Sequence, residues 1–95
     1  IGLIMGPRNT STSRDRASGT LRYLESQGFP VAELPLVWSE YTTESGYSSA
    51  MSMLAANPDL TAIVTGNDTI AIGVLEAARR RGLAVPEQLS VIGFD

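Results

Sequence analysis

The segment Thr61–Ala71, TAIVTGNDTIA, decides the fold because it passes from a strand pattern to a helix pattern through a short polar turn. Its first part, Thr61–Thr65, is a short apolar run with β-branched residues, which is typical of a buried strand. The turn Gly66-Asn67-Asp68 follows, and an apolar helix pattern begins directly after it. Either Asn67 or Asp68 can cap that helix, because both side chains accept hydrogen bonds from first-turn amides.

A second apolar run of the same character, Ser90–Phe94, ends on Asp95. The carboxyl ends of strands in an open parallel α/β sheet are where small ligands bind. Asn67, Asp68 and Asp95 are therefore candidates for binding a polar molecule. For Asp68 the helix-cap interpretation is favoured, because Asp before an apolar helix is a common N-cap.

The alternation of strand and helix patterns extends back to the N-terminus. Apolar runs predict four strands, at Ile1–Met5, Leu34–Trp38, Thr61–Thr65 and Ser90–Phe94. Apolar residues at helical spacing predict three helices, at about Ser13–Gln27, Thr42–Ala56 and Asp68–Arg81. The order β-α-β-α-β-α-β predicts the α/β class, with a parallel sheet covered by helices on both faces. Pro35 cannot donate to a neighbouring strand, so its strand is predicted at an edge.

Length and composition restrict the function. The 95 residues form one domain at most, and the net charge of -3 offers no basic surface to a nucleic acid backbone. The chain has no Cys, His or Lys, so the sequence gives little support for catalysis, a metal site or a cofactor. No apolar run approaches the length of a membrane span. Both ends fall inside apolar runs, and we therefore expect a piece of a longer protein.

Two arginines and two aromatic residues fall near the same predicted edge of the sheet. Arg14 and Arg16 begin a helix, where they are either solvated or hold ligand hydroxyl or carboxylate groups with their forked donors. Trp38 and Tyr41 supply aromatic surface, on which the C–H faces of a sugar ring pack; core packing is favoured for Trp38 and the site for Tyr41. The cluster Arg79–Arg81 lies at a helix C-terminus, where cations are stabilising, and has no predicted binding role.

The combination of Gly66-Asn67-Asp68 before an IAIGVL helix with GLAVP and the closing SVIGFD resembles the effector-binding core of LacI/GalR-family transcriptional regulators. The stretches Ser13–Arg16 and Tyr41–Tyr47 also fall where that family places its equivalents. The resemblance covers essentially the whole chain. It implies a flavodoxin-like lobe of the periplasmic-binding-protein type, in which two lobes close on an effector. Residues 1–95 would be a partial C-terminal lobe, without the DNA-binding headpiece and the first lobe.

The resemblance also implies residue roles. The ligand-binding residues would be Arg16, Tyr41, Asn67 and Asp95, and the structural supports would be Arg14 and Asp68. The helix Thr69–Arg81 would contribute to a homodimer interface, and the apolar Ile72 and Leu75 on it are compatible with that role.

The function implied is the sensing of a small sugar-like effector, which shifts the lobe arrangement and so changes operator affinity. Such a regulator is cytoplasmic and not an enzyme, has no membrane partner, and contacts DNA through the headpiece rather than through this segment. The alternative is a periplasmic sugar-binding protein of a transport system, which shares the lobe. The turn Val85-Pro86-Glu87 favours the regulator, because transport relatives often have a shorter connection there. An enzyme on the same sheet is disfavoured by the missing His, Cys and Lys.

Overall fold

The computed structural model describes residues 1–93, so the predicted ligand residue Asp95 lies outside the described residues. Strands and helices alternate, as β1 Gly2–Met5, α1 Ser11–Ser26, β2 Leu36–Trp38, α2 Thr43–Ala56, β3 Ala62–Thr65, α3 Asp68–Arg80 and β4 Ser90–Ile92. A 3-10 turn, Val31–Glu33, lies between α1 and β2. The predicted α/β class and the order of the elements are confirmed.

The strands form one parallel sheet with the order β2-β1-β3-β4. β2 lies at an edge, as Pro35 predicted, and Pro35 still accepts a hydrogen bond from the Leu3 amide at 2.9 Å. The winding direction reverses between β1 and β3, because β2 lies on one side of β1 and β3 on the other. In sheets of this kind, ligands bind outside the carboxyl ends of the strands at this switch point.

Two hydrophobic clusters cover the two faces of the sheet. Successive strand residues point to opposite faces, so Leu3 and Met5 pack with α1 while Ile4 packs with α2 and α3. All three side chains are fully buried. The prediction of helices on both faces is confirmed, and the sheet is the middle layer between them.

Helices α2 and α3 approach each other closely at two glycines. A Cβ added at Gly73 would lie 2.2 Å from the carbonyl oxygen of Thr43, and one added at Gly46 would lie 2.6 Å from that of Ile70. These distances are far shorter than any real Cβ contact. The two helices therefore pack backbone to backbone, which requires glycine at both positions.

Candidate ligand-binding site

One edge of the sheet gathers the N-termini of α1, α2 and α3. Each helix begins in the loop after a strand, and their N-caps are Thr10, Thr42 and Asn67, whose side chains accept hydrogen bonds from first-turn amides. The amides at helix N-termini create a partial positive charge. This edge therefore suits a ligand rich in oxygen atoms.

Arg16 reaches from α1 to the turn between β3 and α3. The side chain is half-buried, and its Nη1 donates a hydrogen bond to the backbone carbonyl of Gly66. Gly66 directly precedes Asn67, so two predicted ligand residues, Arg16 and Asn67, lie at the same turn. A Cβ at Gly66 would lie 2.8 Å from the amide nitrogen of Gly6, which places this turn against the end of β1.

Asn67, rather than Asp68, caps α3. Its backbone is extended, with φ -161° and ψ 178°, and its Oδ1 accepts a hydrogen bond from the Ile70 amide at 2.9 Å. The favoured interpretation of Asp68 as the cap was wrong, because Asn67 already occupies the N-cap conformation one residue earlier. Asp68 is the first residue of α3, where its carboxylate is stabilised by the positive helix end. A Cβ at Gly93 would lie 2.9 Å from Asp68 Oδ1, so this carboxylate lies beside the end of β4.

Thr65 connects the same turn to β4, a role that the sequence analysis missed. Its side chain is fully buried, and its Oγ1 lies 2.9 Å from the Ile92 carbonyl and 3.2 Å from the Asn67 carbonyl. The available signal was a polar residue at the end of an otherwise apolar strand. Thr65 fixes the ends of β3 and β4 relative to each other.

Tyr41 lies between the carboxyl end of β1 and the first turn of α1. A Cβ at Gly6 would lie 2.3 Å from the ring atoms Cε1 and Cζ, so the ring packs on bare backbone. The Tyr41 hydroxyl lies 2.8 Å from Ser13 Oγ. α1 begins at Ser11 with Thr10 as its cap, two residues before the predicted start at Ser13, and Ser13 is buried inside the first turn. Neither Gly6 nor Ser13 was recognised as a partner of Tyr41.

Trp38 packs mainly in the core, as the favoured interpretation held. It is half-buried against the hydrophobic cluster on the α1 face of the sheet. The Arg8 guanidinium lies 5.8 Å from its ring centre, which is a cation–π distance.

An open groove of about 660 Å³ lies next to Trp38. Its lining includes Glu40, Glu44 and Ser48 but not Arg16, Tyr41 or Asn67. The groove therefore adjoins the predicted site without containing the residues that the fold brings together at the switch point.

Arg14 lies on the surface of the same edge, where its Nη1 donates to the Arg8 carbonyl at 3.0 Å. This bond connects α1 to the loop that precedes it. Among residues 1–93, no three His, Cys, Asp or Glu side chains are grouped as a metal site would require. No helix in the same part of the chain is long and apolar enough to cross a membrane.

Residues 1–95 match the model of the periplasmic binding protein-like domain family. The chain is 38% identical over 95 residues to the HTH-type transcriptional repressor PurR of Escherichia fergusonii. That alignment covers all of this chain and 28% of the repressor, so the chain spans less than a third of the relative's length.

Solved structures of transcriptional regulators share the fold. A sugar-binding transcriptional regulator of the LacI family from Escherichia coli, complexed with phosphate, is 36% identical, with a TM-score of 0.93 over 100% of this chain and 34% of that one. The Lac repressor dimer bound to operator and the anti-inducer ONPF is 29% identical, also with a TM-score of 0.93, over 100% of this chain and 32% of that one.

Proposed function

The chain belongs to the periplasmic binding protein-like domain family, in the form found in LacI-family transcriptional regulators, and from this premise we propose that it senses a small effector for such a regulator. The effector is a sugar or a sugar derivative, and Arg16, Tyr41, Asn67 and Asp95 bind it. Effector binding changes the affinity of the intact protein for its operator.

The convergence of Arg16, Asn67 and Tyr41 at the switch point carries this proposal. The Arg16 side chain bonds to the carbonyl of Gly66, which directly precedes Asn67. Gly66 lies against the backbone of Gly6, and the Tyr41 ring packs on Gly6. A cation, a carboxamide and an aromatic ring therefore surround the ends of β1 and β3. This set suits a ring that has both hydroxyl groups and apolar C–H faces. In the sequence, Asp95 follows β4 and would add a carboxylate to the set.

The relatives favour a regulator over a transport protein. Those described above are transcriptional regulators, and one of them is a dimer bound to its operator. The alternative of a periplasmic transport protein is therefore not favoured, and we place the regulator in the cytoplasm, with its DNA. Ile72 and Leu75, which are 57% and 43% exposed on α3, offer an apolar surface for a homodimer.

Calorimetry on the intact protein tests the proposal, with D-ribose, D-galactose and lactose as probes. We expect one of them to bind and Asp95→Ala to weaken its binding at least tenfold, since a hydrogen bond from a ligand to a charged group contributes about 1.5–3 kcal/mol. Arg81→Ala is the control, because Arg81 lies at the far end of α3. Fluorescence anisotropy with labelled operator, with and without the sugar, tests the coupling. Absence of binding by all probes, or unchanged affinity in Asp95→Ala, contradicts the proposal.

A further inference from the structure

Three side-chain hydroxyls form a hydrogen-bonded chain from the candidate site into the start of α1. Tyr41 Oη lies 2.8 Å from Ser13 Oγ, and Ser13 Oγ lies 2.8 Å from Thr10 Oγ1. Thr10 Oγ1 lies 2.9 Å from the carbonyl oxygen of Pro7. Ser13 is fully buried, so the central link of this chain is shielded from water.

Thr10 Oγ1 is the donor both to the Pro7 carbonyl and to Ser13 Oγ, whereas either oxygen can be the donor between Ser13 and Tyr41. Each hydroxyl carries one proton, and the Pro7 carbonyl can only accept. Thr10 therefore shares its proton between two acceptors, and Ser13 Oγ connects the cap of α1 to the Tyr41 hydroxyl. The contact with Ser13 holds the Tyr41 oxygen in place whichever of the two hydroxyls donates.

The ring of Tyr41 is also fixed by the bare backbone on which it packs. A Cβ at Gly6 would lie 2.3 Å from Tyr41 Cε1 and Cζ and 2.7 Å from Ser13 Oγ. Gly6, Ser13 and Tyr41 therefore meet in one tightly packed contact. The position of the ring depends on the space at Gly6 and on the hydrogen bond to Ser13.

We propose that Ser13 is a positioning residue of the effector site, which holds the Tyr41 ring against Gly6 through the contact between the two hydroxyls. This inference rests on the proposed function for the part of Tyr41 in ligand binding.

Hydrogen exchange in the sugar-free intact protein tests the positioning directly. The amides of Ser45 and Gly46 bond to Thr42, the neighbour of Tyr41, and report on this loop. In Ser13→Ala we expect their exchange to become about three- to tenfold faster, the factor that one lost hydrogen bond supplies. Ser26→Ala is the matched control, because Ser26 donates to the Tyr23 carbonyl at 2.6 Å at the other end of α1. Unchanged exchange at Ser45 and Gly46 in Ser13→Ala overturns the inference.

Calorimetry with D-ribose, D-galactose and lactose tests the consequence for binding. Ser13→Ala and Tyr41→Phe should each lower the affinity for the sugar that binds by about three- to tenfold. The double variant should bind that sugar no more weakly than either single variant. Tyr41→Phe keeps the ring, so it decides the outcome if Ser13→Ala does not fold. Wild-type affinity in Tyr41→Phe overturns the inference. If the wild-type protein binds none of the three sugars, the proposed function fails, while hydrogen exchange still decides the role of Ser13.

Discussion

The Arg16 side chain donates a hydrogen bond to the Gly66 carbonyl, fifty residues further along the chain. This bond connects α1, on one face of the sheet, with the turn that starts α3 on the other face. Arg16 therefore holds the turn that carries Asn67, in addition to its proposed contact with the effector. Its loss should affect both folding and binding.

Replacing Arg16 by Ala should lower the free energy of unfolding by about 1.5–3 kcal/mol, the usual contribution of a hydrogen bond to a charged group. Effector affinity should fall at least tenfold. Urea unfolding and calorimetry of the intact protein measure the two effects. Arg22→Ala, on the exposed surface of the same helix, should change neither quantity, and an equal effect of the two substitutions would contradict the assignment.

The structural role of Asn67 and its proposed ligand-binding role can be tested separately. Asn67→Ala removes the cap of α3 and should cost about 1 kcal/mol of stability. Asn67→Asp keeps an oxygen for the Ile70 amide, and Asp and Asn are similar N-caps, so stability should stay within about 0.5 kcal/mol of wild type. The same variant loses the amide donor and should bind the effector more weakly. Wild-type affinity in Asn67→Asp would assign Asn67 to the cap alone.

Periodicity and capping residues predicted the elements and their order, because apolar spacing reflects which face each element buries. The predicted edge position of β2 followed from Pro35, which has no amide proton. The sequence also suggested that Arg16, Tyr41 and Asn67 lie near the same sheet edge, and the structure brings Arg16 and Asn67 to one turn. The assignments of ligand contacts stay predictions.

The contacts within the site were beyond prediction because they depend on distances between segments far apart in the chain. Nothing local marks Gly6 as the place where a ring from residue 41 packs, or Ser13 as its hydrogen-bond partner. The choice between Asn67 and Asp68 as the cap was also too fine for residue preference. Both residue types cap helices equally well, and the backbone conformation at position 67 decided it.

The tight contact between α2 and α3 makes Gly73→Ala destabilising. The added methyl group would meet the Thr43 carbonyl and the Tyr47 amide, and overpacking of this kind costs about 1–3 kcal/mol. Gly19→Ala is the matched control, because a Cβ there meets nothing within 4 Å. Since Ala favours a helix over Gly by about 0.5–1 kcal/mol, Gly19→Ala should stabilise the protein. Thermal and urea unfolding of both variants measure the opposite signs, and equal signs would contradict the packing described for Gly73.

Glu76 should make a small, pH-dependent contribution to stability. Hydrogen bonds from Arg79 and then Arg80 lower the pKa of Glu76 from 4.5 to about 2. A group whose pKa is lowered by folding stabilises the fold at pH values above its unfolded pKa. This stabilisation is lost as the pH falls through the folded pKa. Wild type should therefore exceed Glu76→Gln in unfolding free energy at neutral pH, and the two should converge between about pH 4.5 and about pH 2. The group is exposed, so 1 M salt should reduce the difference. A difference that persists at about pH 2 in urea unfolding would rule out the ion pairs as its cause.

Main-chain contact between α2 and α3 sets the spacing of the two residues that lie where these helices begin. Tyr41 lies just before α2, and Asn67 caps α3, while Gly46 and Ile70 touch in the first turns of the two helices. The atoms nearest to a Cβ at Gly46 are backbone atoms of Ile70, so main-chain contact sets the spacing at this point. Libraries that aim to change effector selectivity should therefore diversify positions 13 and 41 and leave 46 and 73 as glycine. Larger effectors are better accommodated by a smaller side chain at 41 than by moving either helix.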